Sequence, residues 1–148
     1  MLRFLIFILV LLLQSCFLFR PFKKASVTFN ENGSEKKYTL VVPKGFRDSE
    51  KRVDTSGNQE WYFHYGDGTT LYFVKAADTS ISYQPIRYEF NIPKPLNHTM
   101  FFKGIDSAGR YWRESRFGNY KSGYWSAESG EDWKYDSAVN YFSLMMKD

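Results

Sequence analysis

The chain has 148 residues, of which 20% are aromatic and 24% are charged, and its formal net charge is +4. This mild, evenly spread positive charge argues against a nucleic-acid partner. Cys16 is the only cysteine, so the sequence excludes a disulfide within the chain and a zinc site built from several thiolates.

The first sixteen residues, MLRFLIFILVLLLQSC, have the three parts of a secretory signal. Arg3 lies in a short charged start, and residues 4–13 form an apolar run of the length expected for a signal core. The closing LQSC, residues 13–16, resembles the lipobox of bacterial lipoproteins. That resemblance implies cleavage after residue 15, diacylglycerol on the Cys16 thiol, and attachment to the extracytoplasmic side of a membrane in the bacterial cell envelope.

Two other interpretations of the leader stay open. Residues 2–19 are just long and apolar enough to act as an uncleaved, single N-terminal transmembrane anchor. Arg20, Lys23 and Lys24 follow this run, and they oppose export of the carboxyl-terminal part under the positive-inside rule. The third interpretation is an ordinary cleaved signal, in which Cys16 is incidental.

We predict three segments: a signal peptide at 1–15, a lipid anchor and short tether at 16–25, and one β-rich domain at 26–148. The basic side chains that follow the leader suit a tether beside anionic head groups. About 130 residues remain without the leader, which is enough for one hydrophobic core.

The domain begins with a predicted hairpin. Strands at 26–30 and 36–42 flank Asn32-Gly33, a dipeptide that favours a type I′ turn and sets Val27 opposite Tyr38. The following segment, 47–59, is polar and without periodicity, which predicts an exposed loop.

A second hairpin is predicted at 60–65 and 70–76, with Asp67-Gly68 as a two-residue turn. This register pairs Phe63 with Tyr72 and His64 with Leu71. Both faces of the pair carry aromatic residues, which indicates that it is covered at least in part on both sides.

Four more strands are predicted downstream, at 83–92, 100–105, 110–117 and 122–128. Asp106 starts the turn between the second and third of these strands. The last of the four should place three small or aromatic residues on one face: Gly123, Trp125 and Ala127.

The carboxyl-terminal end changes to a helical period, with Asp136 as a predicted cap for a helix of about ten residues. Its apolar stripe consists of Tyr135, Ala138, Val139, Phe142, Met145 and Met146. The predicted fold class is α+β: a mainly antiparallel sheet of about six or seven strands with one C-terminal helix packed on it. A closed barrel or a sandwich, with the helix as a plug, is the alternative.

Two segments of the domain resemble the PsbP-like and DcrB-like domains. They are residues 38–46, YTLVVPKGF, where a strand meets a Pro-x-Gly-aromatic break, and residues 135–142, YDSAVNYF, which open a final helix. The resemblance implies an exported or membrane-associated α+β domain that serves as a binding or assembly part.

Residues suited to catalysis are few. His64 and His98 are the only histidines, and neither has the spacing of a metal site, so we predict no metal and no cofactor. A small hydrolase needs two facing carboxylates. Glu114 is the first candidate, with Asp106 and Glu128. The adjacent Arg113 and Arg116 favour an ordinary surface ion cluster instead, and we predict that the chain is not an enzyme.

Aromatic residues on adjacent segments give the best candidate binding surface. If the rings of Trp112 and Tyr124 point outward, they form a platform for a glycan or a partner protein. The full set is Tyr111, Trp112, Tyr120, Tyr124 and Trp125. The predicted function is a non-enzymatic binding or scaffolding module for another envelope component. The alternatives are a surface carbohydrate-binding module and, second, a small hydrolase.

Overall fold

The computed structural model describes residues 21–77, 94–96 and 99–146. The predicted leader, the strand predicted at 83–92 and His98 lie outside the described residues. Within these ranges, none of the helical structure is long and apolar enough to cross a membrane.

The described part of the chain forms a two-stranded sheet, a seven-stranded sheet and one helix, and every strand pair is antiparallel. The predicted α+β class, mainly antiparallel sheet with a C-terminal helix, is therefore confirmed. The elements in chain order are β1 (Phe22–Glu31), β2 (Ser34–Pro43), β3 (Phe46–Val53), β4 (Gln59–Tyr65), β5 (Thr70–Lys75), β6 (Lys94–Leu96), β7 (Thr99–Ile105), β8 (Tyr111–Phe117), β9 (Tyr120–Ala127) and α1 (Asp132–Met145).

The larger sheet has the order β3-β4-β5-β9-β8-β7-β6, and the β1–β2 hairpin and α1 pack on one of its faces. We call this the inner face and the opposite one the outer face. The core lies between the inner face and this second layer, and its largest fully buried side chains include Phe29, Leu40, Phe63, Leu71, Phe73, Tyr124 and Phe142. The hairpin is thus a separate sheet, which the sequence analysis did not foresee.

The first hairpin has the predicted register, with Val27 opposite Tyr38. Asn32 and Gly33 have φ values of 52° and 80°, as a type I′ turn requires. Strand β1 begins at Phe22 rather than at residue 26, so residues 22–25, which we assigned to the tether, are part of the first strand.

The segment predicted as an exposed loop, 47–59, contains most of strand β3. Six of its eight side chains are exposed because β3 is an edge strand, so its sequence carries no buried stripe to reveal it. Charged residues such as Lys51 and Arg52 are typical of edge strands, where they oppose pairing with other chains.

The predicted register of the second hairpin is wrong by one residue. Tyr62 lies opposite Tyr72, and His64 lies opposite Thr70. The turn has three residues, not two, because Tyr65 and Thr69 close the loop and Gly68 adopts a φ of 88°. Because the register shifts by one residue, every residue of the hairpin has a different cross-strand partner from the predicted one.

Two predictions at the carboxyl-terminal end also need correction. Ser126, with a φ of 62°, interrupts β9, so Ala127 joins the core and does not share a face with Trp125. The helix begins at Asp132 and includes Asp136, which therefore is not its cap. The predicted stripe is correct, since Tyr135, Ala138, Val139 and Phe142 are buried and Met145 and Met146 pack against the core.

Candidate functional site

The two rings on which the predicted aromatic platform depends are buried. Trp112 is 3% exposed and lies directly against Gly104, whose missing side chain makes room for the indole. Tyr124 is 1% exposed on the inner face, and its hydroxyl donates to the Asp136 carboxylate at 3.0 Å. The condition that both rings point outward is therefore not met.

Two further members of the predicted surface also pack inward. Tyr111 and Tyr120 are partly buried against the core. The Tyr120 hydroxyl donates to the Glu31 carboxylate, which links the start of β9 to the first hairpin. Trp125 is different: it is half-buried on the outer face, beside aromatic residues of β4 and β5.

The structure brings Trp125 together with residues that the sequence analysis did not select. Its ring lies 5.2 Å from the ring of Tyr72 and 5.9 Å from that of Tyr62. We define the outer-face cluster as these three rings and the polar side chains joined to them directly or through one another: Glu50, Arg52, Glu60, Tyr62, His64, Thr70, Tyr72, Glu114, Arg116, Lys121 and Trp125. With the predicted register, Tyr62 and Tyr72 are not cross-strand partners, which is why the cluster was missed.

Gly123 is the backbone feature that makes the buried part of the cluster possible. The Tyr72 ring crosses β9 above Gly123 and donates from its hydroxyl to Glu114 Oε2 at 2.8 Å. A Cβ atom at position 123 would lie 2.4 Å from that hydroxyl and 2.3 Å from the Arg113 carbonyl oxygen. Only glycine fits there without movement of the backbone or the ring.

Glu114 is 3% exposed, and two cations hold it in place. Arg116 Nε donates to Glu114 Oε1 at 2.7 Å, and Lys121 Nζ lies 3.2 Å from Oε2. Burial lowers the pKa of Lys121, although the nearby Glu114 carboxylate opposes this shift. An ion cluster around Glu114 is present, but it is buried and not at the surface as predicted, and of the two predicted arginines only Arg116 joins it, whereas Arg113 pairs with Asp136 on the inner face.

His64 links three strands at the exposed end of the cluster. Its Nε2 lies 3.1 Å from Glu50 Oε1, and its Nδ1 lies 3.1 Å from Thr70 Oγ1. Carboxylate, imidazole and hydroxyl in this order also occur in nucleophilic triads. Thr70 is only 6% exposed, however, so its hydroxyl is closed to a substrate and the arrangement serves to connect the strands.

The three carboxylates considered for hydrolysis do not meet at one place. Glu114 lies inside β8, whereas Asp106 accepts backbone N–H groups within its own turn and Glu128 pairs with Arg110. Asp106 begins the turn before Arg110, so it is several residues, roughly 10 Å or more, along the sheet from Glu114. Among the described residues, no three His, Cys, Asp or Glu side chains are arranged to hold a metal ion.

No family model, curated protein or solved structure matches this chain. Function is therefore inferred from the leader and from the chemistry of the outer-face cluster. The cluster combines half-buried rings of Tyr62 and Trp125 with the exposed guanidinium of Arg52, which lies 5.4 Å from the Tyr62 ring. Aromatic side chains and arginine are the residue types that contribute most to protein–protein interfaces.

Proposed function

We propose that this protein is a membrane-anchored lipoprotein of the bacterial cell envelope whose domain is a non-enzymatic binding or scaffolding module. The lipobox-like LQSC at 13–16 supports the anchor, with Cys16 as the lipidated residue. The observation that carries the binding role is the outer-face cluster, in which Trp125 packs on the rings of Tyr62 and Tyr72, the Tyr62 hydroxyl donates to Glu60, and the rings of Tyr62 and Trp125 are only half-buried.

The partner that this cluster favours is a protein. The rings of Tyr62 and Trp125 are inclined at 60°, so they do not form the coplanar pair that we expect of a flat glycan platform. Charged groups with both signs, Arg52 and Glu50, lie beside the rings and are suited to pair with polar groups at the rim of an interface. A carbohydrate-binding module is therefore the weaker proposal.

Mass spectrometry of the mature amino terminus tests the anchor. The expected result in a bacterial envelope fraction is a chain that starts at Cys16 and carries acyl groups. Cys16→Ser should abolish this modification and leave the leader uncleaved. An unmodified chain that still begins at Met1 in the wild type would contradict lipidation and favour the transmembrane interpretation.

Site-specific photo-crosslinking tests the binding role. A benzoylphenylalanine at position 125 should give one discrete adduct in intact cells, and Tyr62→Ala should weaken that adduct. The same probe at position 105, where Ile105 is 54% exposed on β7, two strands away from β9, serves as the matched control. An identical pattern from both positions, or no adduct from position 125, would overturn the proposed surface.

A further inference from the structure

An aromatic pair with one exposed ring, that of Trp133, lies where the chain enters the fold. Trp133, in the first turn of α1, is 48% exposed, and its ring meets the edge of the Phe22 ring at a centroid distance of 6.0 Å. Phe22 is the first residue of β1. Tryptophan has an apolar body and a polar N–H group, so it is stable where one side is apolar and the other is wet.

The pair is close to the attachment point because the intervening chain is short. Only residues 17–20 separate Cys16 from Pro21. The Pro21 carbonyl accepts a hydrogen bond from the Lys44 backbone N–H at 2.8 Å, which fixes the start of the fold. Even a fully extended chain from Cys16 to Pro21 spans at most about 18 Å.

The charge around the pair is complementary to an anionic membrane. Lys24 lies two residues after Phe22, and Lys44 follows Pro43, the cross-strand partner of Phe22, and both lysines are exposed. The start of α1 carries two acidic residues, Glu131 and Asp132, and Glu131 pairs with Lys134. Lysines close to an anionic bilayer surface are attracted to it.

We infer that Phe22 and Trp133 form a second contact with the lipid bilayer, in which both rings enter the interface and Lys24 and Lys44 meet anionic head groups. This inference rests on the proposed membrane anchor. It implies an orientation, because α1 lies on the inner side of the sheet. The outer-face cluster is then turned away from the membrane, where a partner protein can reach it.

Quenching by brominated lipid tests this contact on the full-length chain. The protein is reconstituted into vesicles of brominated phosphatidylcholine and phosphatidylglycerol, and tryptophan emission is compared with that in unbrominated vesicles. The chain has four tryptophans, so Trp133→Phe identifies the contribution of one ring. Trp125→Phe, on the outer face, is the matched control. Most of the quenching should be lost in Trp133→Phe and retained in Trp125→Phe.

Flotation of the same vesicles separates the two proposals. Protein that floats with the vesicles but shows no quenching dependent on Trp133 would overturn the second contact and leave the anchor standing. Protein that does not float would overturn the anchor and the contact together. Equal quenching in both variants, with circular dichroism showing that both are folded, would also overturn the contact.

Discussion

The two faces of strand β5 are both buried, but by different chemistry. Phe73 points to the inner face, is 0% exposed, and contacts the rings of Phe63 and Phe142. Its neighbour Tyr72 points to the outer face and is 7% exposed, with its hydroxyl on Glu114 and its ring 5.6 Å from Lys121 Nζ. Adjacent residues of one strand thus enter an apolar core and an ion-paired network.

The two faces of the sheet are therefore stabilised by different interactions. The inner face gains from removing apolar surface from water, a contribution that depends little on direction. The outer face depends on hydrogen bonds and charges with fixed geometry, where loss of one group leaves the others buried without a partner. The inner face should therefore tolerate exchange among apolar residues of similar volume, and the outer face should tolerate few changes near Glu114.

The largest expected effect is on the inner face. Phe73→Ala should lower the free energy of unfolding by about 3–5 kcal/mol, because it removes a fully buried ring and leaves a cavity. Chemical denaturation followed by circular dichroism measures the loss. Tyr62→Ala, a half-buried ring on the outer face, is the control, and an equal loss there would break the contrast between the faces.

Gly123→Ala should cost about 3 kcal/mol, because the new methyl group meets both the Arg113 carbonyl and the Tyr72 ring. Gly66→Ala is the matched control, since its methyl group meets only the flexible Arg47 side chain. Denaturation of both variants checks the prediction. A Gly123→Ala protein as stable as Gly66→Ala would show that Tyr72 does not need the gap in β9.

Glu114→Gln should lower the free energy of unfolding by about 2 kcal/mol, because Arg116 and Lys121 lose the carboxylate that both contact. This figure lies below the range for fully buried pairs since Arg116 keeps 18% side-chain exposure. Glu50→Gln, at the exposed end of the cluster, should have a smaller effect in the same denaturation measurement. A larger loss for Glu50→Gln than for Glu114→Gln would contradict this prediction, because the charges that stabilise the fold would then be those at the exposed end of the cluster.

The last expected effect appears at alkaline pH. Burial raises the pKa of Tyr72 and that of Tyr124 above the ordinary value of 10.0, and the adjacent carboxylates add to both shifts. A raised pKa means that the folded state holds its proton more tightly than the unfolded state. Its stabilising contribution is therefore complete below pH 10 and is lost as the pH rises above that value.

Absorbance of tyrosinate near 295 nm, recorded during the alkaline titration, measures this effect. Part of the tyrosine signal should appear only together with unfolding. Tyr72→Phe, on the outer face, and Tyr124→Phe, on the inner face, should each reduce the tyrosinate absorbance that appears together with unfolding. A signal that rises fully before unfolding would contradict the burial of both rings.

Local signals in the sequence predicted those features that depend on few residues. Asn32-Gly33 predicted the first hairpin and its register because both positions need positive φ. The stripe from Tyr135 to Met146 predicted the helix because its period is independent of the partner. Strand β3 was missed because an edge strand needs only one neighbour and carries no stripe.

The candidate site depends on distant contacts, which is why little of it was predicted. Trp125 was selected, but its neighbours Tyr62 and Tyr72 were not, since a one-residue error in the turn at Gly68 assigned them other partners. Trp112 and Tyr124 are of residue types that are common in binding surfaces. Whether they are buried depends on what packs against the face of the sheet on which each of them lies.

The sequence by itself determined the fold class and the turn of the first hairpin, since these follow from local periodicity and from glycine and asparagine conformations. The apolar, signal-like run before Cys16 also predicts where the protein is located, at a membrane of the cell envelope. Only the tertiary structure decided which rings are exposed and which charges meet. Exposure depends on the order of strands in the sheet, and Tyr72 reaches Glu114 only because Gly123 lies between them.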